Sequence, residues 1–161
     1  MKNFKIPIAS VKPSLNLLYT SMIEVESPLA VGKTACGERR IINIKGGSFE
    51  GPRLSGKVLP GGADWQAIRN DGVTELEAKY TLETEDGALI YVTNWGLRHG
   101  PAEIMKKIAE GHEVAPAAYY FRTTPRFETG TSEYRWLNKL VAIASGERRA
   151  SKVIITVYEV K

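Results

Sequence analysis

The chain is organised around the stretch GGSFEGPRLSGKVLPGGADWQ, residues 46–66. It holds six glycines and two prolines, too many for a helix, yet its aliphatic, charged and aromatic side chains set it apart from a flexible linker. Such a run is typical of short, sharply bent strands that hold polar groups in fixed positions. We therefore expect the rest of the chain to form the sheet that surrounds this stretch.

Alternation of apolar and polar residues predicts strands on both sides of this stretch. The clearest is a hairpin formed by residues 74–85 and 88–95, with Asp86-Gly87 as a two-residue type I′ turn. One short helix is predicted, with Pro101 at its first position, Glu110 at its last and Gly111 just beyond it. The further strands are predicted at 15–26, 38–44, 48–50, 53–59, 64–69, 118–124, 138–145 and 152–160.

Because 48–50 and 53–59 are two short pieces joined at Gly51-Pro52, these elements amount to about eight or nine strands. Most of them are joined by turns too short for a parallel crossover, so neighbouring strands should pair antiparallel. A mainly all-β fold follows, either a closed barrel or a sandwich. We predict a closed antiparallel β-barrel of about eight strands, whose interior is just wide enough for side chains or one small ligand. The length of 161 residues fits a single domain over 1–161, preceded by an arm at 1–13.

Composition and charge narrow the range of function classes. The net charge of +4 is spread along the chain without a dense basic stripe, so no nucleic-acid partner is predicted. No apolar run approaches the ~20 residues of a membrane span, and the N-terminus has no continuous apolar segment of the kind signal peptides carry. Cys36 is the only cysteine, which excludes an internal disulfide. We predict a cytoplasmic protein without a membrane partner.

The chain offers little for metal binding. His99 and His112 flank the helix without a close-spaced second ligand, and Cys36 lies in a glycine-bracketed loop without a histidine beside it. No metal site and no cofactor are predicted.

A set of polar and aromatic residues remains that could together line a concave site. Each of them alone is also explained by a structural role, such as a turn acid at Asp64 or a core ring at Tyr80. We predict Asp64 as the catalytic residue. The predicted ligand-binding residues are Glu50, Arg53, Trp65, Tyr80, Asn94, Arg122, Trp136 and Asn138.

The run Gly46-Gly47-x-Phe49-x-Gly51-Pro52-x-Leu54-x-Gly56-x-Val58-Leu59-Pro60-Gly61-Gly62-Ala63-Asp64-Trp65 resembles the signature of an uncharacterised family of single-domain proteins. Further pieces of the pattern are Asp71-Gly72, Tyr80-x-x-x-Thr84-x-Asp86-Gly87, Tyr120-Phe121-Arg122-x-x-Pro125-x-Phe127-Glu128 and Tyr134-x-Trp136-Leu137-Asn138, so the resemblance covers about residues 15–160. It implies an antiparallel β-barrel of the lipocalin-like or allene-oxide-cyclase-like kind. It implies no established activity, cofactor or catalytic residue.

Three functions stay open at this point. The first is an enzyme of the isomerase, cyclase or lyase type, in which Asp64 transfers a proton and Arg122 holds a carboxylate or enolate of a compact substrate. The second is a small-ligand-binding protein without turnover, and the third is a structural protein whose barrel is filled by side chains. Tyr91 and Trp95 on an outer strand face would allow homo-oligomerisation. The enzyme and the binding protein both predict that Asp64 and Trp65 face a hollow.

Overall fold

The structure is a computed structural model that describes residues 5–161, and it is dominated by ten strands. Residues 5–14 form no helix or strand, and residues 1–4 of the predicted arm lie outside the described range. The strands are β1 Leu15–Val25, β2 Leu29–Thr34, β3 Gly37–Glu50, β4 Ser55–Val58, β5 Ala63–Ile68, β6 Thr74–Thr84, β7 Leu89–His99, β8 Tyr120–Glu128, β9 Val141–Arg148 and β10 Lys152–Val160. The helix α1 spans Ala102–Ala109, and 3₁₀ turns occupy Pro116–Ala118 and Ser132–Lys139.

The sheet closes on itself because β1 pairs antiparallel with both β10 and β3. Between these two neighbours the order runs β10, β9, β8, β7, β6 and then β4 and β5, which both lie between β6 and β3. β4 and β5 follow each other along one wall position, and β2 pairs only with β3. The prediction of a closed antiparallel barrel of about eight strands with one short helix is therefore confirmed.

Glycines in the stretch 46–66 allow neighbouring strands of the barrel to approach each other closely. β3 runs without interruption through Gly46 and Gly47, where the sequence predicted that the strand ends. A Cβ added to Gly47 would lie 2.1 Å from the carbonyl oxygen of Met22 on β1. No side chain fits there, so the glycine lets β3 pass close to β1 at the seam where the barrel closes.

Three local predictions were wrong for identifiable reasons. Asp86-Gly87 is not a type I′ turn, because that turn needs a positive φ at both residues and no non-glycine residue in the described part of the chain has one. Instead, the Gly87 amide donates to the Thr84 carbonyl and only Gly87 is left-handed, as in a three-residue loop with a bulge. The predicted strand ended at Thr124, before Pro125, whereas β8 continues to Glu128. The pairing between β8 and β9 stops at Thr123, so Pro125, which lacks an N–H, interrupts no hydrogen bond to β9. Residues 32–34, predicted as part of a loop bracketed by Gly32 and Gly37, belong to the strand β2.

The first strand changes faces at an irregularity that its sequence pattern does not show. A register shift separates Leu17 from Tyr19 in the pairing with β10. As a result Leu18 and Tyr19 are both buried, whereas Leu15 and Leu17, which strict alternation would place on the same face as Tyr19, are exposed. A bulge turns every later side chain relative to the earlier ones.

The two ends of the barrel interior are packed differently. At the end where β3 finishes, the rings of Tyr19, Phe49 and Phe127 meet edge to face, with centroids 5.4 Å and 6.1 Å from that of Tyr19. Around them lie the fully buried Leu82, Ile90, Val92 and Val157. This half is a packed core, so any ligand space must lie in the opposite half, where β3 begins and β7 and β9 end.

Candidate active site

A cavity occupies the second half of the barrel. The space open to the centre of a water molecule inside it measures about 50 Å³. Its apolar lining is Ile23, Val25, Ile42, Ile44, Leu76, Ala78, Phe121, Val153 and Ile155, and its polar lining is Asp64, Gln66, Tyr80, Asn94, Arg98, Thr123 and Arg148. Apolar walls with a few convergent polar groups are typical of a small-molecule site.

Strand register brings the polar groups to one height in the barrel. Asp64 on β5 is opposite Ala78 on β6, and Ala78 is opposite Asn94 on β7, so the three side chains form a row facing the cavity. One step nearer the open end, Gln66 is opposite Arg40 on β3. Because facing residues of paired strands have neighbouring Cβ atoms, these two rows lie side by side.

The Asp64 carboxylate is held by two hydrogen bonds. Its Oδ2 accepts from Nε2 of Gln66 at 2.6 Å, and its Oδ1 accepts from the Glu77 backbone amide at 3.1 Å. Gln66 is 1% exposed and its Oε1 accepts in turn from Nε of Arg40 at 2.7 Å. Burial raises the pKa of Asp64 above its ordinary value, against the lowering effect of Gln66 and of Arg98. The remaining exposure of Asp64 is consistent with its place on the cavity wall.

Three arginines, Arg40, Arg98 and Arg148, surround the open end of the cavity. Burial lowers the pKa of Arg98 to about 10, and Arg40 and Arg148 add to this effect because their positive charges lie close by. The Arg98 guanidinium also lies over the Phe121 ring, 5.4 Å from its centroid. Among residues 5–161, none of the three arginines forms a salt bridge.

A second, wider cavity of about 320 Å³ lies outside the first, and α1 forms one of its walls. Arg98, Arg148 and Ile42 line both cavities, so the arginines stand at the junction between them. α1 contributes Met105, Ile108 and Ala109 to this outer cavity. The described chain therefore forms an inner chamber and an outer vestibule, with the arginine side chains at the junction between the two.

Buried polar atoms without hydrogen-bond partners are concentrated at the inner cavity. Within the described part of the chain, six side chains carry such an atom, and five of them line this cavity: Tyr80 (Oη), Asn94 (Oδ1), Arg98 (Nε), Thr123 (Oγ1) and Arg148 (Nη1). Because a buried polar group without a partner costs about 1–3 kcal/mol, such groups rarely cluster unless water or a ligand satisfies them.

The structure brings together three of the nine predicted site residues. Asp64, Tyr80 and Asn94 line the inner cavity. The other six lie elsewhere: Glu50, Arg53, Trp65, Arg122, Trp136 and Asn138. Trp65 is 38% exposed, contrary to the expectation that it faces inward with Asp64, because adjacent residues of a regular strand point to opposite faces.

Several of the six have identifiable structural contacts. Arg53 pairs with Glu159 at 2.6 Å and stacks over the Trp136 ring at 3.9 Å, at the packed end of the barrel. Asn138 binds the backbone of Thr129 through both atoms of its amide. Glu50 and Arg122 are exposed on the outer face of the sheet.

The arginines and Gln66 were missed by the sequence reasoning, although the strand alternation carried the signal. The face of β7 that holds Ile90, Val92 and Asn94 continues to Arg98, which is 3% exposed. Gln66 lies two residues after Asp64 and therefore faces the same way. Arg148 was predicted to lie in a hairpin turn, but β9 extends through it.

The fold and this cavity define a class: closed antiparallel β-barrels with an internal chamber that carries a carboxylate, an amide pair and guanidinium groups. Within that class, the chain belongs to the family described as "Protein of unknown function (DUF3237)", whose model matches residues 13–160. The family resemblance in the sequence is thereby confirmed.

The similar proteins are mostly uncharacterised. The UPF0311 protein RPA1785 of Rhodopseudomonas palustris is 46% identical over 143 residues, 89% of this chain and 94% of the relative. The crystal structure of RPA1785, a conserved protein of unknown function, covers 94% of this chain and 100% of its own with a TM-score of 0.91 at 43% identity. A Clostridium acetobutylicum protein with unknown function gives a TM-score of 0.86 at 35% identity, covering 95% and 100% of the two chains.

One distant relative is an enzyme. The hydroalkoxylation enzyme phnH of Penicillium herquei is 25% identical over 130 residues, 81% of this chain and 72% of the relative. A crystal structure of an enzyme from Penicillium herquei has a TM-score of 0.72 at 19% identity, covering 97% and 100% of the two chains, which shows a shared fold. In the described residues of the present chain, no helix is long and apolar enough to cross a membrane.

Proposed function

We propose that this protein is a cytoplasmic, lipocalin-like enzyme of the isomerase, cyclase or lyase type that acts on a compact organic acid or carbonyl compound. In this proposal Asp64 is the acid and base of the reaction. The observation that carries the proposal is the place of the Asp64 carboxylate, on the wall of an enclosed chamber where five other polar side chains have an unpaired atom.

The environment of Asp64 suits proton transfer. Burial raises its pKa toward the working pH, and a general acid or base transfers protons best when its pKa lies near that pH. Gln66 and the Glu77 amide fix the carboxylate without neutralising it, so a lone pair on each oxygen of Asp64 remains available to a substrate proton.

The name of the Penicillium herquei relative supports the cyclase alternative. Hydroalkoxylation forms a C–O bond by adding an O–H group across a C=C bond, so a proton leaves the oxygen and a proton reaches the other carbon. The step is redox-neutral and needs only a group that accepts one proton and returns one. A single carboxylate such as Asp64, shuttling between its charged and neutral forms, meets that requirement.

Deuterium incorporation tests the proposal without knowledge of the product. The protein is incubated in deuterated water with a panel of compact ketones, unsaturated acids and hydroxyalkenes, and incorporation is followed by mass spectrometry. Wild type should label at least one panel member, and Asp64→Asn should label it about 100- to 10,000-fold more slowly, the usual contribution of one acid–base group. Glu133→Gln, which changes an exposed carboxylate that lines neither cavity, is the control and should label at the wild-type rate.

The same panel separates the enzyme from a binding protein without turnover, which the unpaired polar atoms of the cavity also support. A panel compound that binds wild type and Asp64→Asn equally and is recovered without deuterium would favour the binding protein. Labelling by Asp64→Asn at the wild-type rate would remove Asp64 from the mechanism.

A further inference from the structure

We propose that Arg98 and Arg148 form an oxyanion site between the two cavities, which binds a carboxylate, or an enolate of equivalent charge, on a ligand whose apolar body fills the inner cavity. This inference rests on the proposed function for the cavity as the ligand site, and it names the class of ligand. It assigns to two arginines that the sequence reasoning missed the role predicted for Arg122.

The position of the two side chains is the first support. Arg98 ends the inward face of β7 and Arg148 ends that of β9, so both reach the same end of the barrel from separate strands. Both line the inner cavity and the outer one. A ligand that enters from the vestibule under α1 therefore meets both guanidinium groups before it reaches Asp64.

The unpaired donors are the second support. Nε of Arg98 and Nη1 of Arg148 are buried without a hydrogen-bond partner within residues 5–161. Arg98 is 3% exposed, so its guanidinium has given up most of its hydration without gaining a carboxylate in exchange. A buried charged group in this situation is stabilised strongly by an anion that accepts from it.

The third support is the balance of charges around the junction. Three arginines, Arg40, Arg98 and Arg148, lie near the inner carboxylate of Asp64, and Arg40 also has the carboxylate of Glu38 nearby. The Nε of Arg40 is already engaged by Gln66. The other acid beside the vestibule, Glu110, lies 3.9 Å from Lys106 and 3.6 Å from His112 at the surface. The junction therefore keeps an excess of positive charge that a monoanionic ligand would reduce.

The inner walls define the remainder of the ligand. Phe121 and the aliphatic chains of Ile23, Ile44, Leu76 and Ile155 surround the space beyond the arginines. A phosphate, which is polar on every side, would leave oxygens unpaired against these side chains. The unpaired atoms of Tyr80, Asn94 and Thr123 can hold one further polar group of an otherwise apolar ligand. A compact apolar acid satisfies both parts, with its oxyanion on the arginines and its hydrocarbon body against the walls.

The test compares three carboxylates with their neutral amides. Acetate, benzoate and phenylacetate are titrated into wild type by isothermal calorimetry, with acetamide, benzamide and phenylacetamide as uncharged partners. We expect at least one acid to bind more than 10-fold more tightly than its amide, since a hydrogen bond to a charged group is worth at least that ratio. Arg148→Met should weaken the acid about 10- to 100-fold and leave the amide unchanged.

Arg149→Met is the matched control, because the neighbouring Arg149 pairs with Glu147 at 3.0 Å and lines neither cavity. It should bind the acid as wild type does. If Arg148→Met does not fold, Arg148→Lys replaces it in the test, because lysine keeps the charge but lacks the forked donors of the guanidinium. We expect Arg148→Lys to lose less affinity for the acid than Arg148→Met. The inference is overturned if no acid binds more tightly than its amide, or if the folded Arg148 variant binds the acid as wild type does.

Asp64→Asn distinguishes this inference from the proposed catalysis. Removing the carboxylate takes away a charge that repels the ligand, so the variant should bind the acid at least as tightly as wild type. Intact binding with lost deuterium labelling supports both proposals, whereas intact binding with intact labelling leaves the oxyanion site in place and removes Asp64 as the acid and base.

Discussion

The Asp64 carboxylate is held in place by one side chain from its own strand and one backbone amide from the neighbouring strand. Gln66 is its partner at a spacing of two along the same strand, and the Glu77 amide reaches it from β6. The sequence pointed to Asp64 because a turn needs glycines but not an acid beside an indole. The sequence also carried the signal that the indole of Trp65 faces away, since adjacent residues of the strand predicted at 64–69 point to opposite faces.

The raised pKa of Asp64 can be measured directly. In a carboxyl-detected NMR titration we expect Asp64 to titrate above the ordinary aspartate value of 3.8, and Asp71 to titrate below it because Arg69 donates hydrogen bonds to that exposed carboxylate. Gln66→Met removes the bond that most lowers the pKa of Asp64, so it should move that titration upward and leave Asp71 unchanged.

The sign for stability follows from the direction of this shift. Because the folded-state pKa of Asp64 is higher than the unfolded one, its contribution is fully favourable below the unfolded value and is lost as the pH rises through the folded value. Asp64 titrating at or below Asp71 would contradict this account and the proposed role in proton transfer.

At the scale of elements, the hairpin of β6 and β7 and the closing hairpin of β9 and β10 could be predicted because their alternation is regular and their turns are short. The predictions lost accuracy where the chain departs from regular geometry. Leu18 beside Tyr19 and Pro125 within β8 are examples, and neither a bulge nor the end of a ladder is visible in one strand alone. Only three of the nine predicted site residues line the cavity, because the face of the sheet to which a side chain points depends on strand register.

Gly47 offers a test of strand packing at the seam between β1 and β3. Gly47→Ala would place a methyl group 2.1 Å from the Met22 carbonyl oxygen, and the contact is with backbone that cannot move without breaking the β1–β3 pairing. We expect a loss of about 3 kcal/mol or more in the free energy of unfolding by urea.

Gly130→Ala is the matched control for this substitution. A Cβ at Gly130 meets nothing within 4 Å and its φ is not left-handed, so a change within about 0.5 kcal/mol is expected. Equal stabilities of the two alanine variants would show that the strand approach at the seam is looser than described.

At the scale of the whole molecule, the barrel has one open and one closed end. The closed end combines the aromatic core with the Arg53–Glu159 pair, the stacking of Arg53 on Trp136 and a Lys161–Glu159 bridge at 3.0 Å. The open end carries the cavities and the unpaired arginines. Charged side chains are thus paired with one another at the closed end, whereas positive charge is in excess at the open end, where we propose that a ligand binds.

Stability against acid should depend on the closed end. Lys161 first, and Arg53 with it, lower the pKa of Glu159, so its contribution is present above the unfolded-state pKa and is lost as the pH falls through the folded-state value. Glu159→Gln should cost about 1 kcal/mol at pH 7 and nothing at pH 2 by urea unfolding. The control Glu133→Gln alters an exposed glutamate and should be neutral at both values; equal effects of the two variants at pH 7 would contradict a stabilising role for the pair.

The place between β3 and β6 in the barrel is shared by two short strands, β4 and β5, which has a consequence for how the site can change. Each piece pairs on its own with β3 and with β6, so barrel closure does not require β4 and β5 to form one continuous strand. The six residues of β5 carry both Asp64 and Gln66. We expect that a chain with a different β5 sequence would keep the barrel and carry different reactive side chains in the cavity. β5 is therefore the strand to replace in order to introduce new chemistry.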